Sequence, residues 1–240
     1  MKENHRWLNQ IAQLGFLLTM GMSMSADAGF LGFAGDSWKE EVLLHDGTKL
    51  IVKRSQSYGG RHEIGQPPPI KEHTITFALP NTNQTITWTS EYGEDIGRAN
   101  FNLLAVHVLN GTPYIVASPN LCLSYNKWGR PNPPYVFFKY DGQEWQRISL
   151  EQFPAALTTI NVATYLGGRD VEAMVRLGLV SAKKIEELNS DIRRPEYRSI
   201  LREPIPGGGQ GVCPELVFYK GVWVGPGNSI GKQMMDSKTK

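Results

Sequence analysis

Three Asp-Gly or Asn-Gly dipeptides, each between two short hydrophobic runs, constrain this chain more than any other feature. They are Asp46-Gly47, Asn110-Gly111 and Asp141-Gly142. Such dipeptides readily adopt the positive φ angles that a tight turn needs at both central residues when it joins two antiparallel strands. The chain is therefore expected to form β-hairpins at three places along its length.

Two further segments show the same organisation. Residues 73–90 alternate, with Ile75 and Phe77 on one face and Thr74 and Thr76 on the other, and an Asn-Thr-Asn turn lies within the segment. A weaker hairpin signal surrounds Lys220-Gly221. The 25 glycines and 15 prolines fit a chain with many turns. These patterns predict a mainly β domain whose antiparallel hairpins form a sandwich or a curved meander.

One segment, at about residues 168–203, is predicted to be helical. Asp170 and Ser181 are candidate N-caps, Gly178 is a candidate helix end, and Pro195 suits the first position of a final turn. These helices are short and polar, so we expect them to pack on one side of the sheet. An α+β description would also suit this arrangement. Proline- and glycine-rich segments at 58–70, 128–135 and 203–214 are predicted to be loops.

The N-terminus has the pattern of a secretory signal peptide. Lys2 and Arg6 precede a stretch from Trp7 to Ala26 that contains no charged side chain, and Ala26-Asp27-Ala28 follows. A basic start, a short apolar segment and an A-x-A site predict a signal peptide over 1–28, cleaved after Ala28. The remaining residues, 29–240, are interpreted as a single β-rich domain. A retained N-terminal helix and an uncleaved anchor are the alternatives.

The charge and the cysteines narrow the class of protein. The formal net charge is only +2, and no lysine- or arginine-rich run is present, so we predict no nucleic-acid partner. Cys122 and Cys213 are the two cysteines of the chain. In an exported protein such a pair is expected to form a disulfide, and two unrelated buried thiols are the alternative. Their isolation does not fit zinc-ligand spacing, and no metal or cofactor is predicted.

An aromatic, proline-rich loop provides the first candidate site. Tyr125, Trp128, Arg130 and Tyr135 are residue types that are enriched in binding hot spots. A glycan, a peptide or an envelope protein is the expected partner at such a surface. The alternative is that Trp128 and Tyr135 fold inward and close one end of the sheet.

His62 and Glu63 provide the second candidate site, in a loop framed by glycine and proline. A histidine beside a carboxylate is suited to general acid–base chemistry near neutral pH. Adjacent residues of an extended chain point in different directions, however, so a solvated loop is the alternative. Residues 206–211, "PGGGQG", lack the lysine of a phosphate-binding loop and are interpreted as a flexible loop.

Two segments carry a resemblance to known proteins. "RSQSYGGRHEIGQPPPIKEHT" and "ASPNLCLSYNKWGRPNPPYVFFKYDG" resemble a group of exported proteins of Gram-negative bacteria to which no activity is assigned. The resemblance implies a periplasmic or secreted protein without a span after signal cleavage, and it brings no catalytic residues.

Two functional hypotheses follow from the sequence. The first is an exported, non-enzymatic binding or cell-envelope interaction module that uses the aromatic loop. The alternative is a hydrolase of envelope polymers or peptides in which His62 and Glu63 act as the acid–base pair. The ligand and the oligomeric state are left open.

Overall fold

Antiparallel strands dominate the computed structural model of this protein, which describes residues 35–225, 227 and 229. The strands are β1 Asp36–Leu43, β2 Lys49–Tyr58, β3 Ile70–Ala78, β4 Thr85–Thr89, β5 Tyr92–Gly93, β6 Arg98–Ala99, β7 Phe101–Leu109, β8 Thr112–Pro119, β9 Val136–Tyr140, β10 Trp145–Ile148, β11 Leu179–Val180, β12 Val217–Tyr219 and β13 Val222–Val224. The helices are α1 Leu121–Lys127, α2 Gly168–Leu177, α3 Ala182–Ser190 and a 3-10 helix Pro195–Tyr197. The predicted signal peptide lies outside the described residues.

The longer strands form two sheets. One has five strands in the order β11-β1-β2-β3-β4, and the other has four in the order β10-β9-β8-β7. All neighbouring strands are antiparallel except β11, which pairs in parallel with β1. Each of the five predicted hairpins is present, as β1–β2, β3–β4, β7–β8, β9–β10 and β12–β13. The predicted mainly β, antiparallel fold with helical elements is confirmed.

The main hydrophobic core contains side chains from both sheets. The predicted alternation on β3 decides which side chains enter it, because Ile75 and Phe77 are buried while Thr74 and Thr76 lie on the outer face. Leu103, Ile115 and Phe138 of the four-stranded sheet belong to the same cluster. The inner faces of the two sheets therefore share one apolar core, as in a β-sandwich.

The four-stranded sheet is also covered on its second face. Leu104, Val116 and Phe137 pack there against Phe153, from the segment that follows β10, and against Tyr197 of the 3-10 helix. A bulge in β7 between Leu103 and Ala105 places Leu104 on this second face. Burial on both faces explains why β7 and β8 are almost continuously apolar.

The helical region lies at the β11 edge of the five-stranded sheet. Val171 and Met174 of α2 and Ile185 of α3 form a separate cluster with Trp38 of β1. Gly178 ends α2 with a φ of 71°, and the Ser181 hydroxyl accepts a hydrogen bond from the Lys184 N–H as the N-cap of α3. The predicted helical segment is confirmed, but Asp170 is not the N-cap of α2. Gly167 is the N-cap, and the Asp170 carboxylate in the first turn accepts a hydrogen bond from the Gly167 N–H at 2.9 Å. None of the helices in the part of the chain that the structure describes is long and apolar enough to cross a bilayer.

One element was not predicted from the sequence. The short helix α1 follows β8 directly, between Pro119 and the predicted loop at 128–135. Its start is held by Asn120, whose backbone N–H donates to the Asn100 carbonyl at 2.8 Å and whose side chain donates to the Ala99 carbonyl at 3.0 Å. Cys122 in α1 is thereby fixed at the end of the four-stranded sheet.

Candidate functional site

The aromatic residues of the first predicted site are largely built into the fold. Tyr125 is 3% exposed and Tyr135 is 4% exposed. The Tyr135 hydroxyl donates to the Glu196 carbonyl at 2.7 Å and thereby ties the start of β9 to the 3-10 helix. Arg130 packs over the Tyr125 ring and donates to the carbonyls of Cys213 and Pro214 at 3.0 and 3.1 Å. These contacts hold the C-terminal segment against α1.

Trp128 is partly buried as well, and its ring centroid lies 4.5 Å from that of Phe101. The structure therefore matches the alternative in which Trp128 and Tyr135 fold inward. A binding role for Tyr125, Trp128, Arg130 and Tyr135 stays a prediction, and their packing gives it no support.

His62 and Glu63 lie in the exposed loop between β2 and β3 and do not contact each other through a hydrogen bond. The Nδ1 atom of His62 is 2.9 Å from the Gly60 carbonyl, and the Glu63 carboxylate accepts a hydrogen bond from Gln66 at 3.4 Å. In the described part of the chain, the His62 side chain has no carboxylate or hydroxyl partner. The geometry therefore does not assemble an acid–base pair.

A groove beside the disulfide has the properties of a binding site. The sulfur atoms of Cys122 and Cys213 are bonded, as the cysteine count predicts. The groove has a volume of about 440 Å³, within the range of small-ligand sites. Its walls comprise Leu121, Cys122, Tyr165, Ile192, Arg194, Tyr197, Gln210, Val212 and Cys213. We call this cavity the disulfide groove.

A buried ion pair positions the segment that leads to Tyr165. Glu40 and Arg54 are both buried, and the Arg54 Nη1 is 2.8 Å from the Glu40 Oε1. The same guanidinium donates to the Ala163 carbonyl at 2.6 Å, while the other Glu40 oxygen accepts the Ala163 N–H at 3.2 Å. Both backbone groups of Ala163 are thus held by charged partners, which fixes the chain two residues before Tyr165.

Thr164 is held from the opposite side by α3. The Asn189 side-chain oxygen accepts hydrogen bonds from the Thr164 N–H and from its hydroxyl, each at 3.1 Å. The ring of Tyr165 then packs edge-on against that of Tyr197, with centroids 4.6 Å apart. Tyr197 is buried, so the exposed Tyr165 rests on a rigid support.

Two bulky side chains in the groove wall are presented by an unfavourable backbone conformation. Leu121 has a φ of 61° and Tyr165 a φ of 53°. These values lie in the left-handed region, which residues other than glycine and asparagine rarely adopt. Leu121 is nevertheless 56% exposed and Tyr165 is 52% exposed. Backbone strain of this kind costs on the order of 1–3 kcal/mol per residue and clusters at functional sites. In this groove, the two residues with left-handed backbone, Leu121 and Tyr165, both line one cavity.

Gln210 helps to shape the wall of the groove. The Gln210 Nε2 donates to the Pro119 carbonyl at 2.9 Å, and this contact fixes the orientation of the amide. The Gln210 Oε1 is buried without a hydrogen-bond partner among the described residues. An atom enclosed in this way is out of reach of a ligand in the groove, so Gln210 contributes to the shape of the wall and offers no acceptor there.

The ionisable groups in the described wall of the groove are the two tyrosines and Arg194. Burial of the hydroxyl, and then the neighbouring Tyr197, raises the pKa of Tyr165. Burial likewise raises the pKa of Tyr197. Both phenols are therefore neutral near neutral pH. Arg194 alone is charged among the described residues that line the groove.

A larger cleft, of about 560 Å³, lies beside α3 and has a different character. Its walls carry Lys49, Lys183, Glu186 and Arg198. Lys49 is already paired with Glu41 at 2.8 Å. The disulfide groove is the better candidate because it has two exposed apolar side chains on strained backbone and an arginine whose nearest carboxylate is 3.8 Å away, so a ligand can complete their interactions.

Sequence patterns did not reveal the groove, because its walls come from four segments that are distant along the chain. The composition of the glycine-rich segment 206–211 indicates a flexible loop, yet Gly209 is buried. An added Cβ at Gly209 would lie 2.4 Å from the Pro131 carbonyl oxygen. This close approach of two backbones places the next residue, Gln210, in the groove wall.

No model of a protein family, no curated protein and no solved structure matches the chain. In the described part of the chain, His, Cys, Asp and Glu side chains form no group of three or more that would suit a metal ion.

Proposed function

We propose that this protein is an exported binding module whose disulfide groove accepts an apolar side chain from a peptide or protein of the cell envelope. The observation that carries this proposal is the joint presentation of Leu121 and Tyr165, two exposed apolar side chains on left-handed backbone, around one cavity. A fold that stabilised only itself would gain little from exposing these side chains on strained backbone. Binding to a partner supplies the missing contacts.

Export is supported by two independent features of the chain. The N-terminal 28 residues have the pattern of a cleaved signal, and Cys122 is bonded to Cys213, as is common in oxidising compartments. We therefore propose a periplasmic or secreted location. The resemblance of residues 54–74 and 117–142 to exported proteins of Gram-negative bacteria agrees with this proposal.

The proposal is tested by NMR titration of the purified protein with N-acetyl-L-leucinamide. This probe carries one apolar side chain and amide N–H groups and has no charge. We expect millimolar affinity, which is typical of so small a ligand. The chemical-shift changes should centre on Leu121, Tyr165 and Val212.

A pair of matched variants localises the binding. Val212 lines the groove and is 103% exposed, while Ile64 is 106% exposed in the distant β2–β3 loop. Val212→Asp should weaken binding at least about five-fold, because it places a charge beside the apolar ligand. Ile64→Asp should leave the affinity unchanged. Shift changes that do not involve the groove, or equal losses in both variants, would contradict the proposal.

A further inference from the structure

The polar groups of the disulfide groove specify the kind of peptide segment that it accepts. We propose that the groove binds the C-terminal residue of a partner polypeptide, with its apolar side chain in the cavity and its α-carboxylate on Arg194. This inference rests on the proposed function and names the ligand chemistry of the same site.

Arg194 is the natural anion-binding group of the groove. Its guanidinium approaches the Glu196 carboxylate only to 3.8 Å, which is longer than a hydrogen bond, and its side chain is 57% exposed. The guanidinium therefore retains donors for a second carboxylate, which it is suited to bind through two parallel hydrogen bonds. No carboxylate lines the groove in the described part of the chain to compete for it.

The rest of the described groove wall is uncharged. Arg194 is its one charged group among the described residues, and Leu121 and Val212 provide apolar surface. The groove therefore suits a ligand that carries one carboxylate beside an apolar group.

A C-terminal residue of a polypeptide completes both of these interactions. Its side chain suits the walls formed by Leu121, Tyr165 and Val212, and its carboxylate suits Arg194. An internal, uncharged peptide segment would cover the guanidinium without pairing it, at a cost in desolvation. The geometry thus favours a free chain end over the middle of a chain.

The test compares two probes that differ only at the terminal group, N-acetyl-L-leucine and N-acetyl-L-leucinamide, titrated into the full-length protein. Because hydrogen bonds to charged groups are the stronger ones, we expect the free acid to bind about ten-fold more tightly or better. Arg194→Gln should reduce the affinity for the acid to that for the amide. Arg193→Gln removes the same charge from the neighbouring exposed residue and should preserve the preference.

The possible outcomes separate this inference from the proposed function. Equal binding of both probes at the groove would leave the proposed function standing and overturn the C-terminal assignment. Binding of neither probe would overturn both. A preference for the acid that survives in Arg194→Gln would exclude Arg194 as the carboxylate partner.

A third probe distinguishes the source of the carboxylate. N-acetyl-L-aspartyl-L-leucinamide offers a side-chain carboxylate but no free terminus. Weak binding, comparable to that of N-acetyl-L-leucinamide, supports recognition of a chain end. Binding as tight as that of the free acid would show that an acidic neighbour suffices and would overturn the assignment.

Discussion

Leu121 opens α1 in a backbone conformation that its side chain disfavours. At a φ of 61° the Cβ of leucine crowds the following carbonyl, whereas asparagine tolerates this region. Leu121 is also 56% exposed, so little buried apolar surface is lost when it is replaced. At this position, a residue that tolerates left-handed backbone would favour the stability of the fold, whereas an apolar side chain favours ligand binding in the groove.

Leu121→Asn should accordingly raise the free energy of unfolding, by about 0.5–1 kcal/mol, while weakening the binding of N-acetyl-L-leucinamide. Urea denaturation measures the first effect and NMR titration the second. Leu177→Asn is the matched control, because Leu177 is 58% exposed but ends α2 with helical backbone. That control should lower stability by a few tenths of a kcal/mol, since asparagine is a poorer helix former. A loss of stability in Leu121→Asn would show that the contacts of Leu121 outweigh its strain.

Three of the hairpins show what an Asn-Gly or Asp-Gly dipeptide predicts about the turn that contains it. Asn110 and Gly111 have φ angles of 50° and 75° and form a two-residue loop between paired Leu109 and Thr112. Asp46 and Asp141 lie in longer loops, where each carboxylate accepts backbone N–H groups within the turn. The three dipeptides thus mark the positions of their chain reversals, but they do not fix the loop length, which is two residues at Asn110-Gly111 and longer at the two Asp-Gly sites.

Helix α1 and the disulfide groove depend on tertiary contacts that leave little trace in the sequence. The Asn120 side chain does not cap α1, and the helix begins instead through hydrogen bonds to Ala99 at the end of β6 and to Asn100, which precedes β7. The groove joins this helix to residues near 165, 194 and 210. Periodicity identifies which face of one element is buried, but it does not tell which distant segments meet.

Gly209 provides a test of the glycine-rich segment as a structural element. Gly209→Ala should lower the free energy of unfolding by about 1–3 kcal/mol, because the new methyl group overlaps the Pro131 carbonyl oxygen. The neighbouring Gln210 should shift with it, so binding of N-acetyl-L-leucinamide should weaken too. Gly225→Ala, at a glycine with open space around its Cβ position, should be neutral in both denaturation and titration. A flexible segment, by contrast, would tolerate both substitutions equally.

At the scale of the whole molecule, the disulfide connects α1 to a segment 91 residues further along the chain. Hydrogen bonds also join the two segments, because Asn126 and Arg130 donate to the Pro214 carbonyl and Arg130 donates to the Cys213 carbonyl. We expect the double variant Cys122→Ala and Cys213→Ala to lose about 4–5 kcal/mol of stability, the chain-entropy value for a loop of this length. Urea denaturation measures this loss, and reduction of the native protein should reproduce it. A loss below about 1 kcal/mol would mean that the unfolded chain is already constrained there.

Two buried histidines link the stability of the whole molecule to pH. Burial, and then the nearby Arg54, lowers the pKa of His73 to about 3. Burial lowers the pKa of His107 to about 4, although its Nε2 donates to the Thr159 carbonyl at 2.9 Å. In the unfolded chain both titrate near pH 6.5. As pH falls below about 6.5, the unfolded state takes up protons that the folded state excludes, so stability decreases.

Each histidine should contribute up to about 1.4 kcal/mol per pH unit to this decrease, until the pH reaches its folded-state pKa. His107→Gln keeps a donor for the Thr159 carbonyl but removes the titrating group, so its unfolding free energy should fall less steeply between about pH 6.5 and pH 4. His62→Gln, at an exposed histidine, should retain the native slope. The measurement is a series of urea denaturation curves across that range. Because the readout is the slope, a general loss of stability in His107→Gln does not obscure it. An unchanged slope would show that His107 binds a proton as readily in the folded protein as in the unfolded chain.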